Sequence, residues 1–162
     1  MYYFLIKENR VNGIGQCRCE AEDCICIEVT EEQYNIAKEK GNNYYVYLDG
    51  DLFVNPNYEE EKEQQEREHI LSLTCTKRVF ALMLQELGVD YITQLKPLIE
   101  SNPQAQLEWD LCVELLRENP MLDMMASQLG ITSEQLDALF LYANGELSKD
   151  DFELYKTIKK DI

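Results

Sequence analysis

Between residues 74 and 144 helix starts and stops follow one another at short intervals, and that spacing limits what the chain can build. The stretch reads TCTKRVFALMLQELGVDYITQLKPLIESNPQAQLEWDLCVELLRENPMLDMMASQLGITSEQLDALFLYAN. Thr74 or Thr76 opens a helix through Leu87, and Gly88 stops it; Val79, Phe80, Leu82, Met83, Leu84 and Leu87 form a broad apolar face. Asp90 caps a helix over 91–100 that Pro97 bends or splits. Asn102-Pro103 and Asn119-Pro120 repeat one start signal, with proline at the first helical position, where a missing N–H costs nothing. The first of these helices is predicted to reach Arg117, with Leu107, Trp109, Leu111, Val113 and Leu115 on its buried side. The second covers 121–129 and ends at Gly130. Thr132 with Gln135 reads as a capping box for 133–143, and Ser148 caps a final, mostly solvated helix to about residue 160.

The chain before this stretch reads differently. YYFLIK, residues 2–7, has strand composition, and Asn12-Gly13 is a turn signal. QCRC and CICIEV flank the polar segment Glu20-Ala21-Glu22-Asp23 and read as a hairpin over 16–29. Thr30 with Gln33 caps a helix over 31–40, ended by Gly41. YYVYLDGDLFV, residues 44–54, is the clearest hairpin, turning at Asp49-Gly50. Residues 57–72 form a polar helix with no heptad seam. The expected fold is therefore α+β: a hairpin-rich N-terminal unit with one helix over 1–56, a charged linker helix over 57–73, and an all-α bundle of short helices over 74–162.

Charge narrows the function classes. Fifteen basic residues face thirty-one acidic ones, for a net charge of −16. Such a surface repels phosphate backbones, so no direct nucleic-acid partner is expected. It suits a basic protein groove instead, including one built for nucleic acid. No apolar run approaches the roughly 18 residues of a membrane span, and the start MYYFLIKENR lacks the form of a signal peptide. The expected location is the cytoplasm, with the six cysteines as thiols.

The sharpest chemical feature is Cys17-x-Cys19 with Cys24-x-Cys26. Alternation puts each pair on one face of its strand, so four sulfurs of a hairpin could converge on zinc. The competing reading is that the thiols are small hydrophobes on a half-buried hairpin, because zinc knuckles usually space their cysteines more widely. No other cofactor is indicated. Residues 124–140 resemble a helix-turn-helix in outline, but the second helix holds Glu134 and Asp137 and no Lys or Arg, so a packed corner is preferred. His69, the only histidine, reads as a solvated residue of the polar helix. No phosphate loop and no nucleophile-and-base set is present, so no enzyme is expected. Tyrosine is concentrated near the N-terminus, and Tyr44, Tyr45 and Tyr47 are expected on a partner-binding face. Glu108, Asp110, Glu114 and Glu118 form a second, acidic candidate surface.

Several of these residues also carry a resemblance. Thr76-Lys77-Arg78, Leu107-Glu108-Trp109-Asp110, Arg117-x-Asn119-Pro120, Leu129-Gly130-x-Thr132, Leu136-Asp137 and Leu139-Phe140 together resemble the C-terminal helical module of small phage and prophage proteins encoded in the tail-fibre and baseplate region. VTEEQY (29–34) and YLDGDLFVNPNYEEE (47–61) are similar to their usual opening, from which the cysteine segment departs. The resemblance covers most of the chain to about Gly145. It implies a viral, non-enzymatic setting in the infected bacterial cell or on the virion, and it transfers no catalytic residue. Two functions follow as expectations. One is a phage accessory protein that binds other proteins, in tail assembly or tail structure, with a phage structural protein as partner. The alternative is an acidic inhibitor of a host defence nuclease, of the anti-CRISPR kind.

Overall fold

The computed structural model describes residues 1–156 and has an α+β architecture, strands first and helices after. Two compact units make up the chain, Met1–Gln64 and a second from Gln65 onward.

The first unit is an antiparallel sheet with one helix. Its strands are β1 (Tyr2–Lys7), β2 (Arg10–Gly15), β3 (Ile25–Val29), β4 (Tyr45–Leu48) and β5 (Asp51–Val54), in the order β3-β1-β2-β4-β5. Alternation along β1 buries Phe4 and Ile6, which join Val11, Tyr45 and Ala37 of α1 (Glu31–Lys40) in a core of their own. The capping box at the start of α1 is present in both directions, Gln33 N–H to Thr30 Oγ1 at 3.1 Å and Thr30 N–H to Gln33 Oε1 at 3.0 Å. The turn expected at Asn12-Gly13 lies elsewhere. Glu8 and Asn9, with φ of 51° and 64°, make the tight turn between β1 and β2. Gly13 instead sits within β2, opposite Leu5, where the register shifts and Asn12 is the extra residue of a bulge. Asp49-Gly50, with φ of 51° and 95°, turns β4 into β5 as its composition predicts.

Helix α2 (Tyr58–Ser72) contains the boundary between the units. It is charged along most of its length but is not merely solvated. Tyr58 is buried and donates to the Lys40 carbonyl at 2.6 Å, and Glu61 accepts both terminal nitrogens of Arg10 at 2.8 and 3.0 Å. Nearer its end, Arg67 donates to Asp137 at 2.5 Å.

The second unit holds α3 (Lys77–Glu86), a wide π-type turn (Tyr91–Leu95), α4 (Lys96–Ser101), α5 (Pro103–Leu111), α6 (Pro120–Gln128), α7 (Ser133–Ala143) and α8 (Lys149–Lys156). Both Asn-Pro starts act as read: Asn102 Oδ1 accepts from Gln104 and Ala105 N–H, and Asn119 Oδ1 accepts from Met121 N–H. Pro97 falls in the first turn of α4, so the preceding segment winds as a separate turn rather than bending one helix. Leu84, Leu95, Leu122, Leu136, Leu139, Phe140 and Phe152 are among the buried residues at the centre.

Two expectations are corrected here. The helix predicted to reach Arg117 stops at Leu111, and Glu114–Leu116 is instead a strand, β7, paired antiparallel with β6 (Thr74–Thr76). Backbone bonds from Arg117 N–H to Leu73 O and Glu118 N–H to Leu71 O prolong the ribbon. The second unit is thus helical with a short two-stranded ribbon. The last helix is also less solvated than its pattern implies. Phe152 is buried and stacks on Tyr142 at 4.7 Å, and the predicted continuation to residue 160 lies outside the described residues.

Candidate functional site

Ending α5 at Leu111 changes where its apolar side chains go. Ala105 becomes the buried residue of the helix, and Leu115 enters the core from β7. Leu107, Leu111 and Val113, expected inside, are exposed at 54, 74 and 83%. Leu107 and Leu111, though not Val113, line a groove of about 410 Å³. Leu107, Leu111, Leu115, Leu116 and Met121 give it apolar walls, and Glu108 and Glu114 add carboxylates. Met121 is buried with Met125, while Met124 is exposed.

Two of the four acidic residues singled out in sequence belong to this groove, and Asp110 and Glu118 do not line it. Glu108 and Glu114 line the groove, and Asp110, Glu114 and Glu118 are exposed. Glu108 is held in place: Asn119 Nδ2 and Gln104 Nε2 donate to its two oxygens at 3.0 and 3.1 Å. Those amides, Asn119 first, hold its carboxyl below the ordinary carboxylate range. The residue therefore stays a fixed negative charge at the mouth of an apolar surface.

The opposite side of α5 faces a second cleft, of about 360 Å³, lined by Lys77, Arg78, Ala81, Leu82, Gln85, Tyr91 and Trp109. Lys77 Nζ donates to the Trp109 carbonyl at 2.7 Å and lies 5.9 Å from the centre of its ring. Leu82, assigned to the buried face of α3 by periodicity, is exposed at this cleft.

The cysteine hairpin does not form. The strand Ile25–Val29 pairs with β1, with Cys26 opposite Leu5, and residues 16–24 are a connecting loop. The reason is competition for a partner. Tyr2–Lys7 offers a longer β-branched and aromatic strand than QCRC does. Cys17 and Cys19 are exposed, and Cys24 and Cys26 are half-buried. Cys17, Cys19 and Cys26 line a cleft of about 170 Å³ with Tyr3 and Leu5, and Cys24 is not among its lining residues. Among the described residues no group of three or more His, Cys, Asp or Glu is arranged to hold a metal ion. Cys75 is different again, buried in the second core, where desolvation pushes its thiol up to about 12.

The tyrosines are packing residues more than the sequence implies. Tyr45 is core, and Tyr44 packs edge-on against both Tyr45 and Tyr58 at 4.9 and 5.0 Å. Tyr47 is half-buried against the same core. The other face of the hairpin carries the exposed side chains Leu48 and Phe53. His69 is not merely solvated: its Nε2 lies 2.5 Å from Glu146 Oε2, with both side chains well exposed. The corner of α6 and α7 turns its second helix inward, burying Gln135, Leu136, Ala138, Leu139 and Phe140.

One feature escaped the sequence reading. Arg117 has no exposed side-chain surface and makes four bonds. Its terminal nitrogens reach both oxygens of Asp123 at 3.0 Å, Nε reaches Asp137 at 2.6 Å, and one terminal nitrogen also donates to Ser133 at 2.9 Å. The available signal was scarcity: only four Lys or Arg occur in residues 73–145, so a cation beside an Asn-Pro start needs a reason. The arrangement fastens β7 to α6 and α7 and leaves none of the three buried guanidinium nitrogens without a partner.

No family model, no curated protein and no solved structure matches this chain. Among the described residues no helix is long and apolar enough to cross a membrane.

Proposed function

We propose that this chain is a non-enzymatic phage accessory protein that acts by binding other proteins, and that its contact surface is the groove beside α5. The phage setting rests on the sequence resemblance. The binding role rests on one observation: exposed Leu107 and Leu111 line an apolar groove that also carries the carboxylates Glu108 and Glu114, and Asp110, Val113 and Glu118 of the same stretch of chain are exposed. A contiguous exposed apolar surface on a strongly charged protein marks an interaction site. An acidic surround selects partners of opposite charge and excludes acidic ones. The partner is therefore a basic segment with apolar anchors, as a phage structural protein in tail assembly would supply. The same surface supports the second reading, an inhibitor seated in the nucleic-acid groove of a host defence nuclease, because such grooves are basic.

The test uses a model partner. An amphipathic Leu/Lys peptide is titrated into the full chain by calorimetry beside its Leu/Glu counterpart. The Leu/Lys peptide is expected to bind saturably, and a Leu107→Asp, Leu111→Asp variant to lose about tenfold or more in affinity, roughly 1.4 kcal/mol. Equal binding by the variant would reduce the interaction to bulk charge and overturn the groove assignment. Salt dependence separates the two readings: a steep fall with ionic strength favours the nuclease groove, and a shallow one favours an apolar structural contact.

A further inference from the structure

The cleft on the other side of α5 is built from the wrong chemistry for a basic partner. We propose that it is a binding site for a small aromatic anion: a planar ring carrying a phosphate or carboxylate, taken up between Trp109, Tyr91 and the paired cations Lys77 and Arg78.

Four observations carry this. The first is the placement of positive charge. Of the four Lys or Arg in residues 73–145, Arg117 is buried against Asp123 and Asp137, and Lys96 pairs with Glu100. The other two, Lys77 and Arg78, are adjacent and line the same cleft. On a chain of net charge −16 such local concentration is not what surface solvation produces. The second is the aromatic lining. Trp109, the only tryptophan of the chain, and Tyr91 both line the cleft, with Ala81 and Leu82 as apolar wall. Arginine beside indole and phenol surfaces suits a ring with delocalised charge, because guanidinium stacks on aromatic faces and forks onto phosphate or carboxylate. The third is rigidity. Lys77 is tied to the Trp109 carbonyl at 2.7 Å, and the Trp109 ring packs on Phe80 at 6.3 Å between centres, so indole and ammonium are held before a ligand arrives. The fourth is size, since about 360 Å³ lies within the range of small-molecule pockets.

Lys77 also begins α3, a ten-residue helix, so the positive end of its dipole adds to the two side chains. The overall negative charge does not forbid the site. Screening over about 8 Å at physiological salt makes the nearest charges decisive for a small ion, whereas a nucleic-acid strand would meet the whole acidic surface.

Because Trp109 is the sole tryptophan, its emission reports this cleft alone. The full chain is titrated with adenosine 5′-monophosphate, phenyl phosphate and benzoate, and with adenosine and inorganic phosphate as probes lacking one half of the chemistry. A saturable change with at least one aromatic anion is expected at or below ~1 mM, and adenosine and phosphate are expected to bind about tenfold more weakly or worse. Comparison of the phosphate probes with benzoate distinguishes the two sources of the anion. Arg78 is exposed, so Arg78→Glu is expected to leave the melting profile unchanged and to abolish the response. Arg78→Gln serves if the charge reversal disturbs folding, with a loss of about tenfold expected. Trp109→Phe, followed by calorimetry, is expected to keep binding, since it retains a ring. No saturable response to any aromatic anion, or an equal response from Arg78→Gln, would overturn the proposal. Equal binding of adenosine and its monophosphate would remove the anion from it.

Discussion

Arg117 shows how much of the second unit depends on a single side chain. A guanidinium taken wholly out of water needs its charge and its nitrogens matched, and here Asp123, Asp137 and Ser133 give each nitrogen a partner. Replacing it by methionine preserves length and removes the charge, leaving Asp137 with Arg67 and Asp123 with the Ser133 hydroxyl but no cation. Breaking a buried pair costs about 3–5 kcal/mol. Asp123 remains 45% exposed and can rehydrate, so the lower end, about 3 kcal/mol, is expected for Arg117→Met by urea denaturation. A loss under about 1 kcal/mol would place this cluster with ordinary surface pairs. The thiols make a second comparison at this scale. Cys75, pushed up to about 12 by burial, carries almost no thiolate near neutrality, whereas Cys17 and Cys19 are exposed on a loop. Labelling with a disulfide reagent at pH 8 is expected to modify Cys17 and Cys19 first, and Cys75 at least about a thousandfold more slowly. Mass spectrometry of partly labelled protein reads the order directly.

At the scale of elements, most starts and stops are set by chemistry contained in four or five residues. The capping boxes at Thr30 and Thr132, the Asn102 and Asn119 caps and the Asp49-Gly50 turn were therefore readable from the chain. Asp90 allows a quantitative check. The Thr93 hydroxyl and then the Thr93 N–H hold its carboxyl below the ordinary range. A carboxyl lowered on folding stabilises above its unfolded pKa, and that contribution disappears as pH falls through the folded value. Asp90→Asn keeps a capping oxygen without the charge. The wild type is expected to melt above Asp90→Asn at pH 7, and the gap to close on acidification below the ordinary aspartate range. A gap that persists or widens in acid would contradict the assigned cause. What stayed hidden was pairing over distance. Nothing within reach of Glu114–Leu116 announces that Thr74–Thr76, some forty residues earlier, offers its backbone. Ile25–Val29 likewise takes Tyr2–Lys7 rather than its neighbour. Both misreadings hid a surface. The acids Glu108, Asp110, Glu114 and Glu118 could be picked out by type, but the apolar floor beside them could not while Leu107 and Leu111 were placed inside. Trp109 packs against the core as its helical spacing implies, but nothing local in the chain shows that it also lines a cleft with Lys77 and Arg78.

For the whole molecule the dominant fact is an excess of sixteen negative charges on two small cores. Surface pairs such as Arg10–Glu61 and Lys156–Glu86 work against that excess locally, and solvent screening keeps each exposed pair weak. Salt weakens those pairs, but it also screens the far more numerous like-charge contacts among thirty-one acidic residues. The two effects have opposite signs, and the count decides between them. Raising sodium chloride from about 0.01 to 0.2 M shortens the screening length from roughly 30 Å to under 10 Å. Repulsion acting across a whole unit is then removed, while close pairs only a few ångströms long keep part of their attraction. The melting temperature followed by Trp109 emission is therefore expected to rise with salt, by about 4–8 °C for each kcal/mol recovered in a unit of this size. Arg117→Met is expected to rise in parallel, because its lost bonds are buried and little screened. A melting temperature that falls with salt would mean that surface pairing holds the second unit together, and the acidic groove would then be a structural network rather than a surface open to a partner.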